Sequence, residues 1–556
     1  MANLFRSIPV TKPKRNLFNL SHEVRTTCNM GKLIPILCEP VVPGDKWKLQ
    51  TEILVRLAPM LAPIMARVNV YTHFFFVPNR LIWKNWERFI TRGQQGLSFP
   101  EYPVYSFNAG FVKTNPDLFS EGSLLDHLGY PVPDKADLKS WPNVDYAKLP
   151  PFDALPLRAY MRIFDDYYRD ENFTRSNYNP DDGSDPSDFF FGDGKYQIAA
   201  SNHTTEGDNI LFIRNRAWEK DYFTSALPWA QRGGSVDLPL TGDDADVYLD
   251  SNSGVPAKVV QVHPDDYQVQ GPLGASLGGA ISANNDASKP LQIDPNGTLK
   301  AQMTGNQVIS INDLRKAFRL QEWLEKNARG GYRYIEQIFS HFGVRSSDSR
   351  LQRAEYLGGG RSPIVISEVL QNSQSTTDSA QGTMTGHGIS AQVTHQFRRR
   401  FEEHGIIMGL MSIMPKASYQ QGFRRHNLKR SWDDFYWPEF ANLGEQPIQN
   451  QELYADLHPA LNDESNTETF GYTPRYAEYK FIPSSVHGDF RTNLNFWHLG
   501  RIFDSRPTLS NEFITQNPST RIFAVDDNQV SDHCWVQIFH NIKAVRPMPK
   551  YGVPKF

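Results

Sequence analysis

Residues 67–89 read RVNVYTHFFFVPNRLIWKNWERF, and how that run is divided decides how the whole chain is read. Up to Pro78 it alternates. Val68, Val70, Phe74 and Phe76 fall on one face of a strand, and Arg67, Asn69, Tyr71 and His73 fall on the other, because successive side chains of a strand point to opposite sides. After Pro78 the period changes: Ile82, Trp86, Phe89 and Ile90 recur at i, i+4, i+7 and i+8, so a helix capped by Asn79 and ended by Gly93 is expected. The aromatics have three destinations open to them: a core, another copy of the chain, or unstacked bases. The strand assigns Phe74 and Phe76 to a core. Trp83 and Trp86 stay divided between a core and a subunit interface, where Trp is enriched.

Working outward, residues 20–59 hold three more strand-like runs: LSHEVRTTCNM, KLIPILCEPVV and WKLQTEILVRLAP. Asn-Met-Gly and Pro-Gly-Asp breaks separate them, a spacing that predicts a β-sandwich or barrel. Strand patterns return late, at GHGISAQVTHQF (386–397), GIIMGLMSIMP (405–415), RYAEYKFIP (475–483) and HCWVQIFHNIKAV (533–545). In the last, Cys534, Val536, Ile538 and Ile542 alternate with Trp535, Gln537, Phe539 and Asn541. N- and C-terminal strands are therefore expected to close one sheet system around a long, mostly non-β middle. Within that middle, INDLRKAFRLQEWLEKNARGG (311–331) and YRYIEQIFSHFG (332–343) read as helices, the second with Ile335, Ile338, Phe339 and Phe342 on one stripe and Gly343 as its stop. Between about 93 and 310 Pro, Asp, Asn and Gly dominate, as in long surface insertions.

The 556 residues suggest about four ordinary domains, although one large β fold with insertions absorbs the same length. With 39% hydrophobic and 21% charged residues the chain is a folded protein and not a disordered one. Its most apolar run, residues 405–415, is far short of the roughly 18 residues needed to span a bilayer, so no membrane insertion is expected. The N-terminus shows no apolar segment of a secretory signal, and cytoplasmic synthesis is the default expectation. Cys28, Cys38 and Cys534 have no paired spacing and read as buried thiols.

Signatures of catalysis are weak. Gly274-Ala275-Ser276-Leu277-Gly278 fits a nucleophile elbow in letters only, since neither a buried strand before it nor a helix after it is expected. GDGK at 192–195 lacks the spacing of a phosphate loop. Asp181, Asp182 and Asp185 read as a solvated turn more readily than as calcium ligands, and His395 and His404 as surface or core-edge residues. Neither a catalytic residue, a metal ligand nor a cofactor is expected.

Basic clusters carry more information. The net charge of −3 offers no global attraction for a polyanion, so any nucleic-acid contact must be local. Arg6, Lys12, Lys14 and Arg15 precede the first acidic residue, Glu23, in what reads as an extended basic arm over residues 1–19. Arg398, Arg399 and Arg400 form a second patch. Arg424, Arg425, Lys429 and Arg430, flanked by Phe423 and Trp432, form a third, a pattern suited to single-stranded nucleic acid, whose bases lie on rings. Intersubunit salt bridges suit the last two patches as well.

Long blocks in a fixed order resemble the major capsid protein of the microvirus family, small single-stranded-DNA bacteriophages, in its gokushovirus-like branches. They include residues 18–47, 57–90, LPLRAYMRIFDDYYRDEN (155–172), DYFTSALPWAQRG (221–233), 314–359, DFYWPEFANLGEQPI (434–448) and GYTPRYAEYK (471–480). The resemblance implies a mainly β, antiparallel jelly-roll sandwich spanning residues 20–556, with insertions between 80 and 380 and helices at about 311–342. It implies a structural protein, many copies of which form a T=1 icosahedral shell around a circular single-stranded DNA genome. Other virion proteins, among them a small basic DNA-binding protein, are expected partners. Residues 185–305, which match least, are expected to be a surface insertion that faces the host. Against this stand two other classes: a carbohydrate-active β-sandwich enzyme, which needs two carboxylates across a groove, and a stand-alone single-stranded-DNA-binding protein.

Overall fold

The computed structural model describes residues 13–92, 100–107, 115–134, 152–174, 211–234, 311–331, 333–370, 384–393, 396–456, 464–525 and 532–551, with shorter pieces between them. The chain forms two compact units, residues 231–326 and the remainder.

In the larger unit, the first five strands are β1 (Asn16–Asn19), β2 (His22–Cys28), β3 (Ile34–Val41), β4 (Lys46–Leu57) and β5 (Val68–Pro78). Two short helices follow, α1 (Asn79–Ile82) and α2 (Trp86–Thr91), and then α3 (Leu155–Ile163). Further along come α4 (Ile311–Gly330), which begins in the smaller unit, and α5 (Tyr334–Phe342). The strands resume as β6 (Glu355–Pro363), β7 (Val365–Leu370), β8 (Met384–Val393), β9 (Phe397–Arg400) and β10 (Gly405–Pro415). The last are β11 (Glu445–Gln449), β12 (Thr469–Pro474) and β13 (Cys534–Arg546).

Two antiparallel sheets form the sandwich. One runs β1-β13-β4-β8-β7, with β2 continuing along the β1 edge of β13 and β9 pairing with β4; the other runs β6-β5-β10-β3. The pairing follows a simple rule. β2 pairs with β13, β3 with β10, β4 with β8 and β5 with β6, so the early strands pair in reverse order with the late ones. That is one long antiparallel ribbon rolled up and closed by the β13–β4 and β10–β5 ladders, the connectivity of a jelly roll.

Alternation builds the core. On β4, Trp47, Leu49, Ile53, Val55 and Leu57 are buried in strict period two, and β13 repeats the pattern with Cys534, Val536 and Ile538. They meet Ile34, Ile36, Val68, Val70, Met411 and Ile413 of the other sheet, while Phe74 and Phe76 pack with Trp47, Leu49 and Phe397. The expectation for Phe74 and Phe76 is met. Strand β10 is buried at every position, unlike β4, because its sheet is covered on both faces. On its outer face Leu33, Phe75, Val77, Met408 and Leu410 pack with Leu157, Tyr160 and Met161 of α3. Gly405 and Gly409 lie where a Cβ would stand 2.4 Å from the Phe76 ring and 2.8 Å from that of Phe74. Those glycines let the rings close the layer.

Local structure departs from the sequence reading at several places. The predicted helix after Pro78 is two helices. Pro78, not Asn79, occupies the cap position, Asn79 lies inside the first turn with its N–H donating to the His404 oxygen at 3.1 Å, and Trp83 turns to extended backbone and stops the turn. The second piece ends at Arg92 in a left-handed conformation; Gly93 lies outside the described residues. RYAEYKFIP is not a strand: Pro474 ends β12, Tyr476 adopts φ of 60°, and Ala477–Lys480 form a helical turn, α6. Helix α3 falls in a region read as irregular. Its Arg158, fully buried and donating to the Ile82 oxygen at 3.2 Å, interrupts the apolar pattern that would have revealed it.

In the smaller unit Asp246–Leu249 pairs with Leu299–Gln302, and Val259–His263 lies between Asp266–Val269 and Leu291–Ile293. The residues 181–185 and 274–278 lie outside the described residues, as do Gly192–Gly194.

Candidate nucleic-acid and subunit interfaces

After β10 the chain leaves the sandwich as a strap, residues 416–443, held against residues 484–501. The strap is pinned by backbone bonds: Tyr419 N–H donates to the Ser484 oxygen at 2.9 Å, Val486 N–H to the Tyr419 oxygen at 3.0 Å, and Arg501 N–H to the Ser418 oxygen at 2.9 Å. Short 3₁₀ turns at Arg425–Asn427 and Trp432–Asp434 bring the basic and aromatic side chains of this patch close together.

The four basic residues have different tasks. Arg424 is exposed and donates to Ser485 Oγ at 3.1 Å. Lys429, half-buried, lies over the Tyr479 ring at 3.9 Å and the Phe435 ring at 5.1 Å. Arg430 donates to the Asn427 and Lys429 oxygens, while its N–H caps Asp434, which holds that carboxyl below its usual range. Arg425 is turned inward instead. Its Nη1 donates to Glu452 Oε1 at 2.8 Å, with the two side chains 18% and 2% exposed, so it neutralises a buried carboxylate and offers no charge to solvent. Glu452 also accepts from Tyr222 Oη and Gln449 N–H; burial raises its carboxyl above the usual range, against the pull of Arg425. Glu452 and Tyr222 were invisible in sequence because the partners lie 27 and 230 residues away.

Around these groups Phe423, Trp432, Phe435, Tyr436, Trp437 and Tyr479 are all exposed. Such a concentration of exposed aromatic surface marks a binding face. Arg398, Arg399 and Arg400 are exposed on β9, with Arg399 paired to Glu355 at 2.8 Å. In the basic arm Lys14 and Arg15 are exposed, whereas Arg6 and Lys12 lie outside the described residues. The sheet already begins at Asn16, inside the segment expected to be arm.

The two tryptophans separate. Trp83 is 1% exposed and packs within the chain against Trp86, Phe89 and Tyr102, which leaves it no surface for another subunit. Trp86 is half-buried, 5.6 Å from the ring of His404, and keeps an outward face. His395 lies outside the described residues. A clearer candidate interface is α5, where Tyr334, Phe339, Phe342 and the following Val344 are 73%, 49%, 79% and 55% exposed. Sequence reading found the Ile335–Ile338–Phe339–Phe342 stripe; in the structure only its isoleucines are partly covered.

Among the described residues no group of three or more His, Cys, Asp or Glu is placed to hold a metal, and no helix is long and apolar enough to cross a membrane. Cys28 and Cys534 face each other across the β2–β13 ladder as buried free thiols.

Comparison with known proteins gives a consistent result. A family model described as "Capsid protein (F protein)" matches residues 6–556. The capsid protein VP1 of Chlamydia phage 1 is 34% identical over 609 residues, covering 100% of this chain and 98% of its own. VP1 of Bdellovibrio phage phiMH2K is 35% identical over 574 residues (99% and 97%), and VP1 of Spiroplasma virus 4 is 29% identical over 579 (97% and 95%).

Proposed function

The chain belongs to the capsid protein (F protein) family, and from that premise we propose that its copies close into a T=1 icosahedral shell around a circular single-stranded DNA genome. Membership makes it a structural protein of the virion, built into a multi-copy shell, and not an enzyme. The observation that carries the reading is the family match over nearly the whole chain. The exposed apolar face of α5 and the outward face of Trp86 supply contact area of the kind that subunit interfaces bury.

A chain of net charge −3 does not balance packaged DNA. A small basic DNA-binding protein is therefore its expected companion inside the shell, with other virion proteins completing the particle and assembly taking place in the host cytoplasm. The basic arm, through Lys14 and Arg15, the exposed Arg424 and Arg430 and the half-buried Lys429 add local contacts to phosphates. Of residues 185–305 we assign to the outer surface, toward the host, the parts other than 211–230, which are packed into the larger unit with Leu211, Tyr222, Phe223 and Leu227 buried; most of the segment lies outside the described residues.

Expression with its companions tests the proposal. Closed isometric particles holding nuclease-protected single-stranded DNA are expected by sedimentation and electron microscopy, and a strictly monomeric chain under all assembly conditions overturns it. Deleting residues 1–15 should lower DNA retention more than particle yield; loss of particles alone removes the arm from genome contact.

A further inference from the structure

Two cavities share one wall beside the strap. The first is an open groove of about 490 Å³ whose lining includes Arg67, Lys416, Ser418, Ser484, His487 and His498. Neither Asp nor Glu is among its lining residues. His498 is held as a neutral wall, because its Nε2 donates to the Phe490 oxygen at 2.7 Å and its Nδ1 accepts from Gly500 N–H at 2.9 Å, and burial lowers its pKa below the usual value. The groove's charge is thus positive at Arg67 and Lys416 with hydroxyl donors between them, a surface that attracts an oxyanion and repels nothing acidic.

The second cavity is different in kind. It measures about 150 Å³ and is walled by Tyr222, Phe223, Tyr419, Phe423 and Phe481. That volume is below the roughly 300–1,000 Å³ of sites for drug-sized ligands, so it takes a single ring system. Glu452 and Glu478 lie in its lining, which rules against a phosphate there. Glu452 is paired with Arg425, and Arg424 in the same lining offsets Glu478, which also accepts from Gln446 Nε2 at 2.8 Å, so a neutral aromatic ligand meets two cations against two carboxylates. Ser484 and Ser485 line both cavities, and Arg424 reaches Ser485 Oγ from the pocket side.

We propose that the groove holds the sugar–phosphate backbone of single-stranded DNA and that the adjoining pocket receives one of its bases. A positive track beside an aromatic slot is the combination by which single strands are bound without sequence readout: cations follow the phosphates and bases stack on rings. The pocket's apolar walls fit any base face, as binding without sequence readout requires. The assignment rests on the reading that the shell encloses single-stranded DNA, and it places part of that contact at Arg67 and Lys416, which the sequence did not single out.

Fluorescence anisotropy of the full-length chain with a labelled single-stranded oligodeoxynucleotide, and with an abasic oligomer of equal length, tests it. Phe423→Ala should weaken binding of the normal oligomer roughly 5- to 100-fold, the effect of one base–aromatic stack, and leave the abasic one unchanged. Arg67→Gln with Lys416→Gln should weaken both oligomers and reduce the steepness of log K against log salt by about 1.4, two phosphates at about 0.7 each. Each variant is first shown to form particles like the parent, so lost binding reports the site and not the fold. Equal affinity for normal and abasic oligomers, or an unchanged salt slope in the double variant, overturns the proposal. If purified particles hold protected single-stranded DNA yet the chain binds no oligomer at low salt, this site fails alone; particles without single-stranded DNA sink the genome reading itself.

Discussion

His540 on β13 donates from Nε2 to the main-chain oxygen of Ile36 on β3, 2.9 Å away, and so joins the two sheets through the middle of an apolar core. Its Nδ1 accepts from Thr51 Oγ1 at 2.9 Å, which completes both ring nitrogens in the neutral form. Burial is the main reason that the ring's pKa falls to about 4, and His22, 5.2 Å away between ring centroids, adds to the effect. The unfolded chain takes up this proton near pH 6.5 and the folded chain only near 4. Stability from this group is therefore complete above about pH 6.5 and drains as the pH falls toward 4. Urea midpoints between pH 7.5 and 4 should drop over that window, and less steeply in His540→Gln. His73, lowered to about 4 chiefly by burial with Arg216 nearby, contributes in the same direction and remains in the variant. A His540→Gln profile as steep as the parent's assigns the whole slope elsewhere.

Gly409 is expected to tolerate no side chain. A methyl group there meets the buried Phe74 ring at 2.8 Å and Leu37 Cβ at 3.1 Å, inside the layer that Trp47 and Leu49 of the facing sheet close. Gly409→Ala should cost about 1–3 kcal/mol by overpacking, read from chemical denaturation of the unassembled chain. An unchanged midpoint shows that the ring has room to move.

The Arg425–Glu452 pair predicts a non-additive result. Arg425→Met alone leaves a buried carboxylate unpaired and should destabilise by about 3–5 kcal/mol. Replacing both, Arg425→Met with Glu452→Leu, should recover most of that loss. Denaturation of the three chains decides it; a single variant as stable as the parent means the carboxylate finds another partner or a proton.

Phe342, at 79% exposure, should matter to the shell and not to the chain. Phe342→Asp is expected to leave the unassembled protein's circular dichroism and melting unchanged while abolishing or sharply reducing particles in sedimentation. Normal particle yield removes this face of α5 from the subunit contacts.

Most of the sandwich was legible because its strands carry their burial in their spelling. Trp47 to Leu57 and Cys534 to Ile542 alternate, and β10 is apolar throughout because both its faces are covered. What sequence could not show depended on distant partners. Arg158 reads as a surface residue until Ile82 is placed beside it, and Arg425 reads as a cation for DNA until Glu452 is. Trp83 looked like an interface residue because its neighbours Tyr102 and Phe89 become neighbours only after the helix breaks. The groove at Arg67 and Lys416 joins residues some 350 positions apart, with no motif to announce it.

The reversed pairing order has a consequence in time. Strand β13 sits between β2 and β4, pairing Cys28 with Cys534 and Leu57 with Cys534 on its two sides, so an inner strand of one sheet arrives some 480 residues after its neighbours. Elongation at about 5–20 residues per second separates those events by roughly half a minute or more. During that interval β2 and β4 have no strand between them, and a nascent chain cannot present a finished subunit surface. The fold thus works as a completion check: only a chain translated through β13 becomes a building block, and truncated products are kept out of the shell by their own topology.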